Sequence, residues 1–220
     1  MKRDEMTSRE RWLAVLRGES FDRVPLDYRA TAEVNAALVE HMGVADIGGA
    51  RERLHVDKLM GVGPRYVGPK LEAGRDVFGI GHEMVDYGTG AYNETVYNPL
   101  AEVETVAEIE ANYEWPDPDW YDYSGIADAV IGREEWVISG GSYEEFATYR
   151  DLRGVERGYM DLYEKPDMVH YCMGKLTDYR YRIAERIYEE APGQIVWCWV
   201  AEDFGTQEAL LLSPGMIAEF

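Results

Sequence analysis

The chain has 220 residues, 46% hydrophobic and 12% aromatic, enough for one sizeable buried core and short for two. Its 42 Asp and Glu against 22 Lys and Arg give a formal net charge of -20, which repels phosphate backbones and anionic lipid surfaces, so neither nucleic acid nor membrane is an expected partner. No stretch approaches the ~20 apolar residues of a membrane-crossing helix, and Met1-Lys2-Arg3-Asp4-Glu5 opens no signal-peptide pattern; the expected location is the cytoplasm.

The first element is a short helix. Thr7 and Glu10 have capping-box spacing, Trp12, Leu13 and Leu16 form an apolar stripe, and Gly18 suits the stop. Residues 24–28 read as a first strand, 31–42 as a helix ended by Gly43, and 54–62 as a second strand. From 61 to 98, eight glycines interleave with Tyr66, Phe78, Tyr87, Tyr92 and Tyr97, which predicts β-hairpins and loops inserted over the mouth of the domain. Residues 103–113 are a predicted helix, broken by Trp115-Pro116-Asp117-Pro118, and 126–131 a shorter one. Residues 136–139 form a third strand with Gly140 and Gly141 behind it, then 145–157 and 166–190 are helical.

The apolar run 195–200 reads as a fourth strand covered on both faces, which puts Glu202 and Asp203 at its C-terminal end, where α/β folds bind ligands. Ser213 and Pro214 then open a last helix over 215–220. Four strands alternating with helices predict a parallel α/β sheet, because each long crossover returns the chain to the same sheet end. That is either an open four-strand sheet or half of a (β/α)8 barrel.

Several features are read as structural. Cys172 and Cys198 lie in apolar settings and are expected to be buried thiols without a disulfide. His55 and His82 stand alone, without the paired spacing of metal ligands. Gly79-Ile80-Gly81 and Gly88-Thr89-Gly90 lack the third glycine and the strand-to-helix setting of a dinucleotide loop.

Thr7-Ser8-Arg9-Glu10-Arg11-Trp12-Leu13-Ala14-Val15-Leu16-Arg17-Gly18-Glu19 with Phe21-Asp22-Arg23-Val24-Pro25, then Phe146-Ala147-Thr148-Tyr149, Lys165-Pro166, Glu202-Asp203-Phe204-Gly205-Thr206-Gln207 and Leu212-Ser213-Pro214, resemble in order the uroporphyrinogen decarboxylase superfamily. The resemblance spans residues 1–220 as one domain, with 61–98 an insertion in it. It implies a (β/α)8 barrel of which about the first four βα units are present, the N-terminal half, with strands five to eight absent. Decarboxylases of that family carry a Met-Arg-Gln-Ala-Gly-Arg loop after the first strand, where this chain has Leu26-Asp27-Tyr28-Arg29-Ala30-Thr31 with a single arginine. They also place an aspartate after the second strand, where Gly61-Val62-Gly63-Pro64 stands and the nearest aspartate, Asp57, lies upstream. Tyr149 matches the decarboxylase tyrosine.

The other branch comprises methyltransferases acting on methylated corrinoids and thiols such as coenzyme M, whose zinc ligands the resemblance places beyond residue 220. His170-Tyr171-Cys172 resembles their His-x-Cys segment, but side chains two apart on a helix diverge by about 200° and do not share a metal. No metal ligand or cofactor is therefore assigned to this chain, and zinc belongs to a full-length relative.

The expected catalytic residues are Asp203, Glu202 and Tyr149, and the expected substrate-binding residues are Arg29, Ser213 and Gln207. The expected function is a methyltransferase-like enzyme on methylated corrinoid or thiol substrates. The alternatives are a tetrapyrrole decarboxylase with a divergent substrate loop and a non-catalytic half-barrel that assembles with a partner. Expected partners are a small-molecule substrate, a corrinoid protein, and a second copy or a separate C-terminal half.

Overall fold

Thr7 Oγ1 accepts the Glu10 N–H at 3.1 Å while Glu10 Oε2 accepts the Thr7 N–H at 2.8 Å, so the predicted capping box starts α1 (Ser8–Leu16). The computed structural model describes residues 4–220. α2 (Ala32–Met42) ends as expected at Gly43, whose φ of 60° is the left-handed value that glycine adopts without strain. α3 (Ile47–Arg53) has no counterpart in the apolar spacing, because two of its seven residues are glycine; Asp46 caps it instead, accepting the Gly49 N–H at 2.9 Å.

α3 closes with the paired backbone bonds of a Schellman turn, Val56 N–H to Arg51 O at 2.9 Å and His55 N–H to Glu52 O at 3.1 Å. His55 occupies the left-handed position at φ 55°, which costs a residue with a Cβ about 1 kcal/mol. His55→Gly is therefore expected to stabilise the protein by about 1 kcal/mol, read as a higher urea midpoint at unchanged slope.

The predicted second strand shortens to β1 (Leu59–Val62). After it come β2 (Arg65–Tyr66), β3 (Gly81–Asp86), β4 (Ala91–Tyr97), α4 (Val106–Asn112), β5 (Tyr121–Asp122) and α5 (Ile126–Ala129). β6 (Val137–Tyr143) runs on through both glycines that sequence reading placed after it. Gly140 is needed there: a Cβ would come within 2.7 Å of Ile187 Cγ2, so α8 (Pro166–Glu190) lies directly on the sheet. The helix predicted over 145–157 is two, α6 (Glu145–Arg153) and α7 (Val155–Glu164), broken at Gly154 with φ 89°. β7 (Ile195–Val200) and α9 (Pro214–Glu219) complete the order.

The main sheet is parallel, in the order β1-β6-β7. The fold is thus mixed α/β, with three strands where four were expected. Residues 24–28 do not join the ladder and make one backbone bond beside it, Asp57 N–H to Leu26 O at 2.9 Å. Pro25 has no N–H to give, and the Leu26 N–H is taken by the Asp57 carboxylate at 2.8 Å.

Met60, Val62, Ile138 and Ile195 pack with Ile187 and Ile183 of α8 on one sheet face. The opposite face carries Leu59, Gly61, Ser139, Trp197 and Trp199; Trp197 falls on the face opposite to Ile195, two residues before it, because the β6–β7 register shifts between the pairs Ile138–Ile195 and Ser139–Trp197. β7 is not covered on both faces as expected: it is an edge strand, Trp199 is 36% exposed and Val200 67%. The larger core joins α6, α7 and α8 to the insertion through Phe78 and Ile80. Residues 61–98 do form the expected hairpin, β3 against β4, but they are also part of that core. The hairpin tip reaches α2, since a Cβ at Gly90 would come within 2.8 Å of Glu33 Oε1.

Candidate functional site

The segment that follows residue 26 lies against the sheet face that carries Leu59, Gly61, Ser139 and Trp197, and only its Arg29 reaches toward the C-terminal end of β7. Arg29 leaves this segment with its guanidinium 4.1 Å from the Trp199 ring centroid and 6.0 Å from that of Trp197. Its Nε lies 3.3 Å from Asp27 Oδ2, and its side chain is 58% exposed. Trp12 of α1 stacks on Trp197 at 6.0 Å and supports the indole from the other end. Behind Arg29 is a cavity of about 180 Å³ between residues 27–29 and the sheet, lined by Tyr28, Gly61, Ser139 and Trp197 among others.

Glu202 follows β7 and turns toward α6. Its Oε1 accepts the Phe146 N–H at 2.7 Å and its Oε2 the Ala147 N–H at 2.9 Å, so both oxygens hold the N-terminus of that helix. Burial raises its pKa, opposed by those two amide bonds and reinforced by the nearby Glu145 carboxylate. Asp203 is exposed at the same strand end. Gln207 is exposed at the tip of a small loop closed by Leu211 N–H to Phe204 O at 2.8 Å. Ser213 accepts the Met216 N–H at 3.2 Å and caps α9.

Tyr149 is placed elsewhere. It is fully buried, its hydroxyl donates to Asp161 Oδ2 of α7 at 2.6 Å, and the burial raises its pKa. The structure therefore groups Arg29 with two tryptophans and Glu202 with a helix end, while Tyr149 sits between α6 and α7. Trp197 and Trp199 were missed from sequence. Their spacing of two along an apolar strand was the available signal, since it puts both indoles on one face.

The larger cavity, about 660 Å³, opens at the N-terminal ends of β1 and β6. Its polar floor is already paired: Arg11 binds Asp57 and Asp22, and Arg23 binds Asp57 at 2.9 Å and Asp4 at 3.0 Å. The larger cavity shares Arg51, Val56, Asp57 and Leu59 with the smaller one, and the Arg29 guanidinium over Trp199, near the C-terminal end of β7, lies toward the end at which parallel α/β sheets hold ligands.

The His170–Cys172 pair fits no shared metal. Cys172 is buried in the core, its thiol pushed up to about 12 by burial, whereas His170 is exposed and stacks on Phe220 at 4.7 Å. Among the described residues, no group of three or more His, Cys, Asp and Glu side chains converges to hold a metal ion. Both cysteines are free, but Cys198 is only half-buried because β7 lies at the sheet edge. Among the described residues no helix is long and apolar enough to cross a membrane.

No family model matches the chain, and no curated protein matches it. Among solved structures it is similar to a methyltransferase from Methanosarcina mazei, with a TM-score of 0.57 and 18% sequence identity over 98% of this chain. The chain spans 64% of the length of that methyltransferase. At this identity the likeness is one of fold.

Proposed function

We propose that this chain forms the substrate-facing part of a methyltransferase-like enzyme that acts on methylated corrinoid or thiol substrates. The observation that carries the reading is the cation over two indoles of β7, closest to Trp199 near that strand's C-terminal end, in a chain whose fold runs with that of a methyltransferase over 98% of its residues. In this reading β1, β6 and β7 belong to a (β/α)8 barrel, and further polypeptide, in the same chain or a partner, covers the exposed face of β7. A corrinoid protein delivers the methyl group.

Arg29 holds the anionic end of the substrate, because a planar guanidinium offers paired donors and is already oriented by Trp199 and Asp27. Asp203 orients the reacting group or takes its proton from the exposed strand end. Glu202 acts indirectly, by fixing the β7 end to α6. The residues present do not fit a zinc site, and no step here depends on one. A tetrapyrrole decarboxylase is the weaker reading: Asp57, the nearest aspartate to the position such enzymes use, stands before β1 rather than after it, with its carboxylate occupied by Arg11, Arg23, Trp12 and the Leu26 N–H.

The test is methyl transfer from methylcobalamin to a panel of thiols. Asp203→Asn is expected to lower turnover about tenfold, equivalent to about 1.4 kcal/mol, with an unchanged melting temperature. Arg29→Ala is expected to weaken substrate binding with a smaller effect on turnover. Parent-like activity in both variants across the panel places the site elsewhere.

A further inference from the structure

Two carboxylates lie together where the end of β7 holds α6, and only one of them has donors. Glu202 accepts the Phe146 N–H at 2.7 Å through one oxygen and the Ala147 N–H at 2.9 Å through the other. Glu145, the residue just before those amides, has its Oε1 buried without a hydrogen-bond partner. A buried carboxylate oxygen without a donor is unfavourable as an anion and far less so as an acid, because desolvation penalises the charged form.

The surroundings do not supply the missing donor. Arg180 of α8 acts on Glu145 from a distance, and its hydrogen bonds go to neutral groups, Nη1 to the Ser142 carbonyl at 3.2 Å and Nη2 to Thr148 Oγ1 at 2.7 Å. Arg150 of α6 acts on Glu202, while its Nη1 lies 3.4 Å from the Tyr159 hydroxyl. Against these two cations stand Glu144, Glu145 and Glu202, with Tyr143 of β6 beside Glu145 and Asp203 exposed one residue beyond Glu202.

Burial raises the pKa of Glu145, opposed by its own amide and by Arg180 and reinforced by Glu144. The two amide donors favour the anion of Glu202, which leaves Glu145 as the member of the pair that carries the proton. With the folded value above the unfolded ~4.3, the folded protein holds this proton more firmly. The contribution to stability is therefore present below about pH 4.3 and is lost as pH rises through the folded value.

We propose that this junction is a proton-operated clasp: with a proton on Glu145 the Glu202 carboxylate holds the first turn of α6, and when Glu145 ionises the two like charges push the end of β7 away from that helix. Asp203 follows Glu202 directly, so the clasp sets the place of that carboxylate according to pH. The clasp goes beyond the methyl-transfer reading and does not depend on it, since its readouts are titration, amide exchange and melting.

NMR of the side-chain carboxyl carbons reads Glu145 in the unmodified protein, and its midpoint is expected above the ~4.3 of a free glutamate. Protection of the Phe146 and Ala147 amides against hydrogen exchange, corrected for the intrinsic rate, is expected to fall at least about threefold between pH ~5.5 and pH ~8. Glu145→Gln keeps the shape and cannot ionise. It is expected to melt higher than the parent at pH ~8, to lose most of that advantage at pH ~5.5, and to show no such fall in protection. An ionised Glu145 paired with Arg180 gives the reverse, a midpoint at or below ~4.3 and a Gln variant that melts lower than the parent at pH ~8. Either of those results, or amide protection in the parent that stays constant with pH, would overturn the inference.

Discussion

Asp57→Ala is expected to cost about 3–5 kcal/mol of folding stability, the range for removing one partner of a buried ion pair. The side chain of Asp57 is 0% exposed and that of Arg11 1%. Asp57 accepts from Arg11 Nη1, from Arg23 Nη2 at 2.9 Å, from Trp12 Nε1 at 3.2 Å and from the Leu26 N–H at 2.8 Å. Its loss strands a buried guanidinium and releases both α1 and residues 24–28 from the start of β1. Urea unfolding should show the midpoint falling sharply, and a change below about 1 kcal/mol would mean that water enters and replaces the network.

The same network predicts acid sensitivity with a definite sign. Arg11 hydrogen-bonds Asp22, assisted by the Met6 and Glu5 amides, and holds its carboxyl well below the usual range. The unfolded chain then binds the proton more readily, so this stabilisation is present above the unfolded pKa of about 3.9 and is lost as pH falls below it. Arg11→Met should flatten that part of the stability profile.

Asp161→Ala is expected to destabilise by a similar amount, about 3–5 kcal/mol. Asp161 accepts Arg153 Nε at 2.6 Å and the Tyr149 hydroxyl at 2.6 Å, while the Arg153 guanidinium also donates to the carbonyls of Leu100 and Val103. All three side chains are buried, so α6, α7 and the segment before α4 share one charged centre. Thermal unfolding measures the loss. Tyr149→Phe separates structure from catalysis: removing one hydroxyl should cost about 1–2 kcal/mol and leave turnover of the folded protein unchanged. A large fall in turnover at constant stability would return Tyr149 to the catalytic set.

Local signals were legible where a short segment decides its own structure. Thr7 with Glu10, Gly43 after α2, Pro166 at the start of α8 and Ser213 before α9 each act within four residues, and the structure bears them out. The first strand was not legible, because its failure depends on Asp57, 31 residues after Leu26, taking the N–H that a ladder would use. The split at Gly154 was hidden by apolar spacing that stays helical on both sides of it. The site divides likewise. That Glu202 lies at a strand end could be read from the apolar run before it, but that its oxygens cap α6 depends on β6 and β7 being neighbours. Arg29 over Trp199 joins residues 170 apart in sequence, and no spacing rule reaches that far.

The two cavities adjoin, sharing Arg51, Val56, Asp57 and Leu59, but carry different tryptophans, Trp197 at the proposed site and Trp136 at the N-terminal end. Fluorotryptophan NMR, titrated with methylated thiols and carboxylates, reads both positions in one experiment. The Trp197 and Trp199 resonances are expected to shift saturably while that of Trp136 stays in place. Shifts confined to Trp136 would put the ligand at the N-terminal end and contradict the proposed site.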